Sequence, residues 1–188
     1  MIRLPRSLSI SAVTALAILS GCTQQPDPNA KKILESCLAV SAAEASAILG
    51  QTLTANRMSG ADAPRSICAY NDANNNTYGL VEMQSADKIK DQQADLASDL
   101  ETNKGAYKGN IKPVITHPAD SYGPGAFYLD ITPALDSLSV QLHAFESGYK
   151  IIVVVNNSKD YATAEKQADA IAKKVADNIK NGNAFDAS

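Results

Sequence analysis

The residues of this chain best suited to covalent or acid–base chemistry are its three cysteines and two histidines. The cysteines are Cys22, Cys37 and Cys68, and the histidines are His117 and His143. A thiol can be acylated, oxidised to a disulfide or bound to a metal, and an imidazole transfers protons near neutral pH. The ligands of a zinc site usually cluster in sequence, whereas this chain has no C-x-x-C motif and its histidines lie far from its cysteines.

Cys22 ends a segment that resembles a bacterial lipoprotein signal. Arg3 and Arg6 precede the apolar run 8–19, whose twelve residues are too few to span a bilayer and are typical of a signal peptide. The run leads into Leu19-Ser20-Gly21-Cys22, which resembles the bacterial lipobox. This resemblance implies cleavage just before the cysteine, so that residues 1–21 are removed and lipid, including palmitate, is attached to Cys22. The alternative is an ordinary secretory peptide followed by an unpaired thiol.

A lipidated Cys22 predicts an exported protein that is anchored to a bacterial membrane. Removing residues 1–21 takes away two arginines and leaves 15 basic and 20 acidic residues, a net charge of −5. Such a chain is not expected to bind nucleic acid, and its attachment to membranes would rest on acyl chains, at about 0.8 kcal/mol per buried CH₂. Thr23 rather than Asp follows the cysteine, which slightly favours the outer membrane where a host has one. Residues 22–32, the lipidated cysteine and a proline-containing polar stretch, are predicted to be a tether.

Cys37 and Cys68 are predicted to form a structural disulfide. Exported proteins occupy oxidising compartments, where paired cysteines persist as disulfides. The two residues are 31 positions apart, so the cross-link would stabilise the fold by about 3–4 kcal/mol in the chain-entropy model. A redox or metal site is the alternative interpretation of the pair.

Hydrophobic periodicity predicts a single α+β domain over 33–181, in the element order α-β-β-β-α-β-β-β-β-α. Because hairpin connections dominate, the sheet is expected to be mostly antiparallel with the helices packed on it. The strand 149–155 is apolar on both faces and is therefore expected to be central. Residues 182–188 are predicted to be a flexible tail. The predicted helices are one capped by Ser41 and Glu44 and ended by Gly50, one over 86–100 and one over 161–179. The predicted strands are 52–58, 66–71, 77–84, 114–116, 126–130, 138–145 and 149–155.

Four short motifs give the chain a resemblance to a group of bacterial lipoproteins. They are Cys37-Leu38, Ile48-Leu49-Gly50, Cys68-Ala69-Tyr70 and Tyr122-Gly123-Pro124-Gly125-Ala126. The layout is similar to that of lipoproteins with a PsbP/Mog1-like α+β domain, although Tyr70 stands where those proteins often have Trp. The resemblance covers about 33–181. It implies an α+β fold and a disulfide, and it implies no activity.

Aromatic side chains concentrate in and beside the glycine- and proline-rich segment 103–125. Tyr122, Phe127 and Tyr128 are the candidate binding residues, because loops held by a rigid sheet are where binding sites tend to lie. Packing as a minor core is the alternative for these rings. The protein is therefore predicted to be a non-enzymatic binding or interaction module whose partner is an envelope protein or a small ligand, with a structural or assembly role as an alternative.

Evidence for catalysis or for a cofactor is weak in this sequence. His117 and Asp120, three residues apart, could serve a hydrolase, but such a pair is more often part of a solvated loop. His143 is expected to be a partly exposed residue of the sheet. The acidic residues at four-residue spacing on the second helix are interpreted as a solvated face rather than a cation site. No catalytic residue, metal or cofactor is predicted.

Overall fold

The computed structural model describes residues 32–59, 64–108, 114–131 and 137–187. The predicted signal peptide, the lipidation site Cys22 and all of the tether except Lys32 lie outside the described residues. No helix in the described part of the chain is both long enough and apolar enough to cross a membrane.

Seven strands form one sheet in which every neighbouring pair is antiparallel. Their spatial order is β2-β3-β4-β8-β7-β6-β5, so β8 occupies the middle. The predicted α+β class, the antiparallel sheet and the central position of the apolar strand are confirmed. The strands are β2 (Thr54–Arg57), β3 (Arg65–Asn71), β4 (Thr77–Ser85), β5 (Ile115–Pro118), β6 (Phe127–Asp130), β7 (Ser139–Glu146) and β8 (Tyr149–Asn156).

A second, two-stranded sheet joins the two ends of the described chain. In it β1 (Lys32–Leu34) pairs antiparallel with β9 (Phe185–Ala187). Ala184 is buried, and the ring of Phe185 packs against that of Tyr149 with centroids 6.2 Å apart. The structure thus differs from the predicted flexible tail over 182–188. Residues 184–187 are positioned by apolar contact and by pairing with a strand remote in sequence, and neither interaction can be predicted from this short segment alone.

The helix predicted after Ser41 is present as α2 (Ala42–Leu49). The Ser41 hydroxyl accepts a hydrogen bond from the backbone N–H of Glu44, whose carboxylate accepts one from the backbone N–H of Ser41. This reciprocal capping satisfies two N–H groups that a helix terminus leaves open. Gly50 ends the helix with φ of 71°, a left-handed conformation that favours glycine. A short helix, α1 (Ser36–Ala39), precedes α2 and was not predicted.

The second predicted helix begins later than the sequence pattern indicated. It was expected over 86–100, whereas α3 spans Gln92–Ala106. Asp91 caps it, because its carboxylate accepts a hydrogen bond from the backbone N–H of Ala94 at 2.9 Å. The apolar pattern of this segment is weak, since Leu96 is the buried residue of α3, and the pattern does not show where the helix begins. The hydrogen bond from the backbone N–H of Ala94 to Asp91 sets the first residue of the helix.

The long helix α4 (Tyr161–Lys180) covers one face of the sheet. It contacts β7 and β8, and small side chains on its inner face allow that close approach. From β8 the side chains of Ile151, Val153 and Val155 point towards α4 and are fully buried. The buried residues of α4 are Ala164, Ala168, Ile171, Ala172, Val175 and Ala176.

The predicted disulfide between Cys37 and Cys68 is confirmed, with an S–S distance of 2.01 Å and 5.1 Å between Cα atoms. It joins α1 to β3. Beside it lie two buried serines: the Ser66 hydroxyl accepts a hydrogen bond from the backbone N–H of Ser36 at 2.8 Å and lies 3.0 Å from the Ser36 hydroxyl. The cross-link therefore fixes the first helix of the domain, α1, to strand β3 of the sheet.

We expect the double variant C37S/C68S to lose about 3–4 kcal/mol of unfolding free energy, because an open loop gives the unfolded chain more conformational entropy. Denaturant titration of the full chain in mild detergent measures this loss. Wild type treated with a thiol reductant is the matched control and should lose a similar amount. A double variant as stable as the oxidised wild type would contradict the role assigned to the disulfide.

Candidate functional site

A cleft of about 370 Å³ opens beside α4, at the edge where the helix meets the segment between β5 and β6. One wall is a single 3-10 turn (Asp120–Tyr122), which contributes Ser121 and Tyr122. Glu146, at the end of β7, contributes a second wall. The floor and the remaining wall come from α4: Asp169, Ala172, Lys173, Ala176, Asp177 and Lys180.

Two tyrosine hydroxyls converge on one carboxylate oxygen at this cleft. Tyr122 donates a hydrogen bond to Oδ1 of Asp169 at 3.0 Å, and Tyr128 donates one to the same oxygen at 2.5 Å. Burial, followed by the nearby Asp169 carboxylate, raises the pKa of both tyrosines far above the ordinary phenol value. The hydroxyls therefore stay protonated, and together they fix the position of the carboxylate.

Local backbone geometry brings Tyr122 to this position. The Tyr122 N–H donates to the carbonyl of Ala119 at 2.9 Å, which closes the turn. Gly123 and Gly125 follow with φ of 90° and 85°, values that L side chains rarely adopt. These glycines reverse the chain so that β6 starts at Phe127, and Tyr128 then points to the α4 side of the sheet.

The charges along the cleft are not balanced. Lys173 lies 3.2 Å from Asp177, and Lys180 lies 3.5 Å from Glu146. Asp169 takes part in no ion pair with any residue that the structure describes. Three carboxylates thus face two ammonium groups, and the excess negative charge is that of Asp169.

Of the three residues predicted to bind a ligand, the structure brings together Tyr122 and Tyr128 and separates Phe127 from them. Phe127 is buried on the opposite face of the sheet, because successive side chains of a strand point to opposite faces. Its ring stacks on the imidazole of His143, with centroids 4.6 Å apart and planes inclined by 12°. Phe127 therefore belongs to the core under α3 and does not line the cleft.

The prediction that His143 is partly exposed is wrong, since only 2% of the residue is accessible. Its Nδ1 lies 3.2 Å from Oδ2 of Asp99, and its Nε2 lies 3.0 Å from Oε1 of Gln141. The ammonium group of Lys150 contacts Asp95 at 2.6 Å and Asp99 at 2.7 Å. Asp95 and Asp99 thus form ion pairs with the sheet instead of the purely solvated face expected of them. We call these five residues the α3 anchor.

Electrostatics within the α3 anchor favour the charged forms of Asp99 and Lys150. Burial opposes the charged form of Asp99, but hydrogen bonds from His143 and Lys150 outweigh it and lower the pKa of the carboxyl. Burial likewise opposes the charged form of Lys150, and its two aspartate partners outweigh it and raise the pKa of the amine. The anchor holds α3 to the sheet.

His117 and Asp120, the pair considered for a hydrolase, are both exposed. His117 lies on β5 and Asp120 begins the 3-10 turn. Their side chains form no hydrogen bond or ion pair with each other or with any other residue in the described ranges. Within those ranges, no group of three His, Cys, Asp or Glu residues is placed to hold a metal ion.

No family model matches the chain, and no curated protein or solved structure is significantly similar to it. Inferences about function therefore rest on the geometry of the cleft and on the sequence motifs.

Sequence reasoning did not identify Asp169 or the lysines of the cleft. A signal for them exists, because Asp169, Lys173, Asp177 and Lys180 follow at helical spacing of three or four residues and form a polar stripe beside the apolar face of α4. The stripe indicates a shared helix face. It does not indicate that two tyrosines more than forty residues away reach the same carboxylate.

We expect the Asp99→Asn variant to lose less stability in acid than wild type does. A carboxyl whose pKa is lowered in the folded state stabilises the fold above its ordinary pKa of 3.8, and this contribution is lost as pH falls through the folded-state value. At neutral pH the variant should be less stable by on the order of 1 kcal/mol.

Unfolding free energies between pH 7 and pH 3 test this expectation. Glu101→Gln on the same helix is the control, since Glu101 is 73% exposed and its one ion pair within the described ranges is with Lys104. If the unfolding free energies of Asp99→Asn and wild type fall in parallel as the pH is lowered, Asp99 does not cause this pH dependence.

Proposed function

We propose that this protein is an exported, lipid-anchored protein of the bacterial cell envelope whose folded domain binds a small ligand in the cleft beside α4. The observation that carries the binding part of the proposal is the Asp169 carboxylate, held at the cleft by the hydroxyls of Tyr122 and Tyr128. The proposal contains no catalytic step.

The shape and construction of the cleft favour a small molecule as the ligand. Its volume of about 370 Å³ falls within the range of small-molecule sites, which is roughly 300–1,000 Å³. Its principal wall is a twenty-residue helix packed on the sheet, and the carboxylate on that wall is already oriented. A site that is oriented before the ligand arrives loses less entropy on binding.

The anchoring part of the proposal rests on the sequence around Cys22. The apolar run 8–19 and the Leu19-Ser20-Gly21-Cys22 motif support lipidation, and Thr23 slightly favours the outer membrane in a host with two membranes. Lys32, where β1 begins, is ten residues after the cysteine. A fully extended segment of that length spans about 35 Å, which limits the distance between the domain and the membrane.

A relationship to lipoproteins with a PsbP/Mog1-like domain is also part of the proposal. It rests on the short motifs around Cys37, Gly50, Cys68 and Gly123 alone. It adds no activity to the function proposed.

We expect Cys22→Ser to abolish metabolic labelling with radioactive palmitate and to release the protein from the membrane fraction. The reason is that the thiol at position 22 is the proposed acceptor of lipid. The C37S/C68S variant is the control and should remain labelled, because its two cysteines are assigned to the disulfide. Incorporation of palmitate into the Cys22→Ser variant, or no incorporation into wild type, would overturn the proposed lipid anchor at Cys22.

We expect Ser121→Trp to abolish binding of small molecules to the domain, because an indole at this exposed position would fill the cleft without entering the core. A suitable panel is 2-phenylethylamine, 2-phenylethanol and 3-phenylpropanoate, which share a phenylethyl body and differ in charge. Calorimetric titration of the full chain in mild detergent measures their affinities.

Ser98→Trp is the matched control, since Ser98 is an exposed residue of α3 and does not line the cleft. It should bind the panel as wild type does. Equal binding by the two tryptophan variants, or no binding of any panel member to wild type, would refute small-ligand binding in the cleft.

A further inference from the structure

We infer that the cleft selects ligands that carry an organic cation, an ammonium or guanidinium group, which binds the free oxygen of Asp169. This inference rests on the proposed function and specifies the chemistry of its ligand.

The hydrogen bonds at Asp169 leave one of its carboxylate oxygens available to a ligand. Both tyrosine hydroxyls donate to Oδ1, and Oδ2 accepts no hydrogen bond from any residue in the described ranges. Asp169 lines the cleft, so a ligand there can reach its carboxylate. A carboxylate offers acceptors on both oxygens, and an N–H donor from a ligand completes this set. A ligand with a carboxylate at this position would instead place two acceptors against each other.

The distribution of charge along the cleft also favours a cation beside Asp169. Glu146 and Asp177 are each paired with a lysine, and Asp169 is paired with no described residue. The two lysine side chains are 63% and 75% exposed, so water and salt screen their repulsion of an incoming cation. Asp169 is only partly exposed, and charges interact more strongly where water is partly excluded. The local field therefore favours a single positive charge beside Asp169.

The number of available oxygens at Asp169 suits an organic cation better than a metal ion. Calcium takes six to eight oxygen ligands, and magnesium requires near-octahedral coordination. Asp169 presents one unoccupied oxygen, and the neighbouring carboxylates of Glu146 and Asp177 are engaged with lysines. An ammonium group forms strong charge-assisted hydrogen bonds with a single carboxylate and fits this arrangement better.

The test compares Asp169→Asn with wild type, using the full chain in mild detergent and the probe 2-phenylethylamine. Asparagine keeps the size of the side chain and an oxygen that can accept from both tyrosines, but it removes the charge. We expect binding of the amine to weaken at least tenfold and binding of the neutral probe 2-phenylethanol to change less than twofold. Asp87→Asn is the matched control, since Asp87 is exposed, lies outside the cleft and changes the net charge equally.

A second variant keeps the inference testable should Asp169→Asn fold poorly. Lys173→Gln removes a cleft cation whose side chain is 75% exposed, so the fold should be unaffected. The substitution also leaves the Asp177 carboxylate without its lysine partner, which increases the negative charge of the cleft. The amine should therefore bind several-fold more tightly than to wild type, and 3-phenylpropanoate should not gain affinity.

The outcomes separate this inference from the proposed function. Amine binding that is unchanged in Asp169→Asn and Lys173→Gln, or a wild type that binds 2-phenylethanol as tightly as the amine, would overturn the preference for cations. In both cases loss of binding in Ser121→Trp would still support the cleft as a ligand site. Amine binding that survives in Ser121→Trp would instead refute the cleft itself.

Discussion

Both the core and the cleft depend on the contact of α4 with the central strand β8 and its neighbour β7. Alanines at 164, 168 and 172 let the helix approach the sheet closely, and Ile171 and Val175 are buried in the same apolar core as Ile151 and Val153. Close packing fixes the rotation of the helix about its axis. The polar stripe beside the apolar face must then lie along the edge of the contact, where it meets Tyr122, Tyr128 and Glu146. The geometry of the cleft is thus a consequence of how the core is filled.

The opposite face of the sheet is held by a different kind of interaction. The helix α3 buries one large apolar side chain, Leu96, and depends on the ion pairs and hydrogen bonds of the α3 anchor for its position. Apolar burial stabilises the contact of α4 over a wide pH range, because none of its members titrates. The contact of α3 includes the Asp99 carboxylate, whose charged form is favoured in the fold, so acid should weaken this contact first. The two sides of the sheet therefore differ in how they respond to pH.

Features that short stretches of chain determine could be predicted from the sequence. Ser41 and Glu44 cap a helix through bonds between neighbours, and the apolar residues of 149–155 identify a central strand by themselves. The cysteine pair was also predictable, because the number and spacing of cysteines leave few options once Cys22 is assigned to lipid. Where such local signals were weak, as before Asp91, the predicted element started at the wrong residue.

Features that depend on distant contacts could not be predicted in the same way. Pairing with β1 positions Phe185, and Asp99 of α3 contacts the buried His143, on whose ring Phe127 stacks. Asp169 becomes part of a site because a turn and a strand from elsewhere in the chain bring two hydroxyls to it. In each case the side chain itself is ordinary, and its role is set by the element that packs against it.

The same long-range contacts connect the cleft to the beginning of the domain. Lys180 at the end of α4 pairs with Glu146, whose strand partner across the β7–β8 hairpin is Tyr149. Tyr149 packs on Phe185, and Phe185 pairs with Leu34 in β1. This chain of contacts places one end of the cleft close to the residues that follow the proposed tether. The disulfide between Cys37 and Cys68 joins α1 to β3, so the start of the described domain is held by this cross-link as well as by the pairing of β1 with β9.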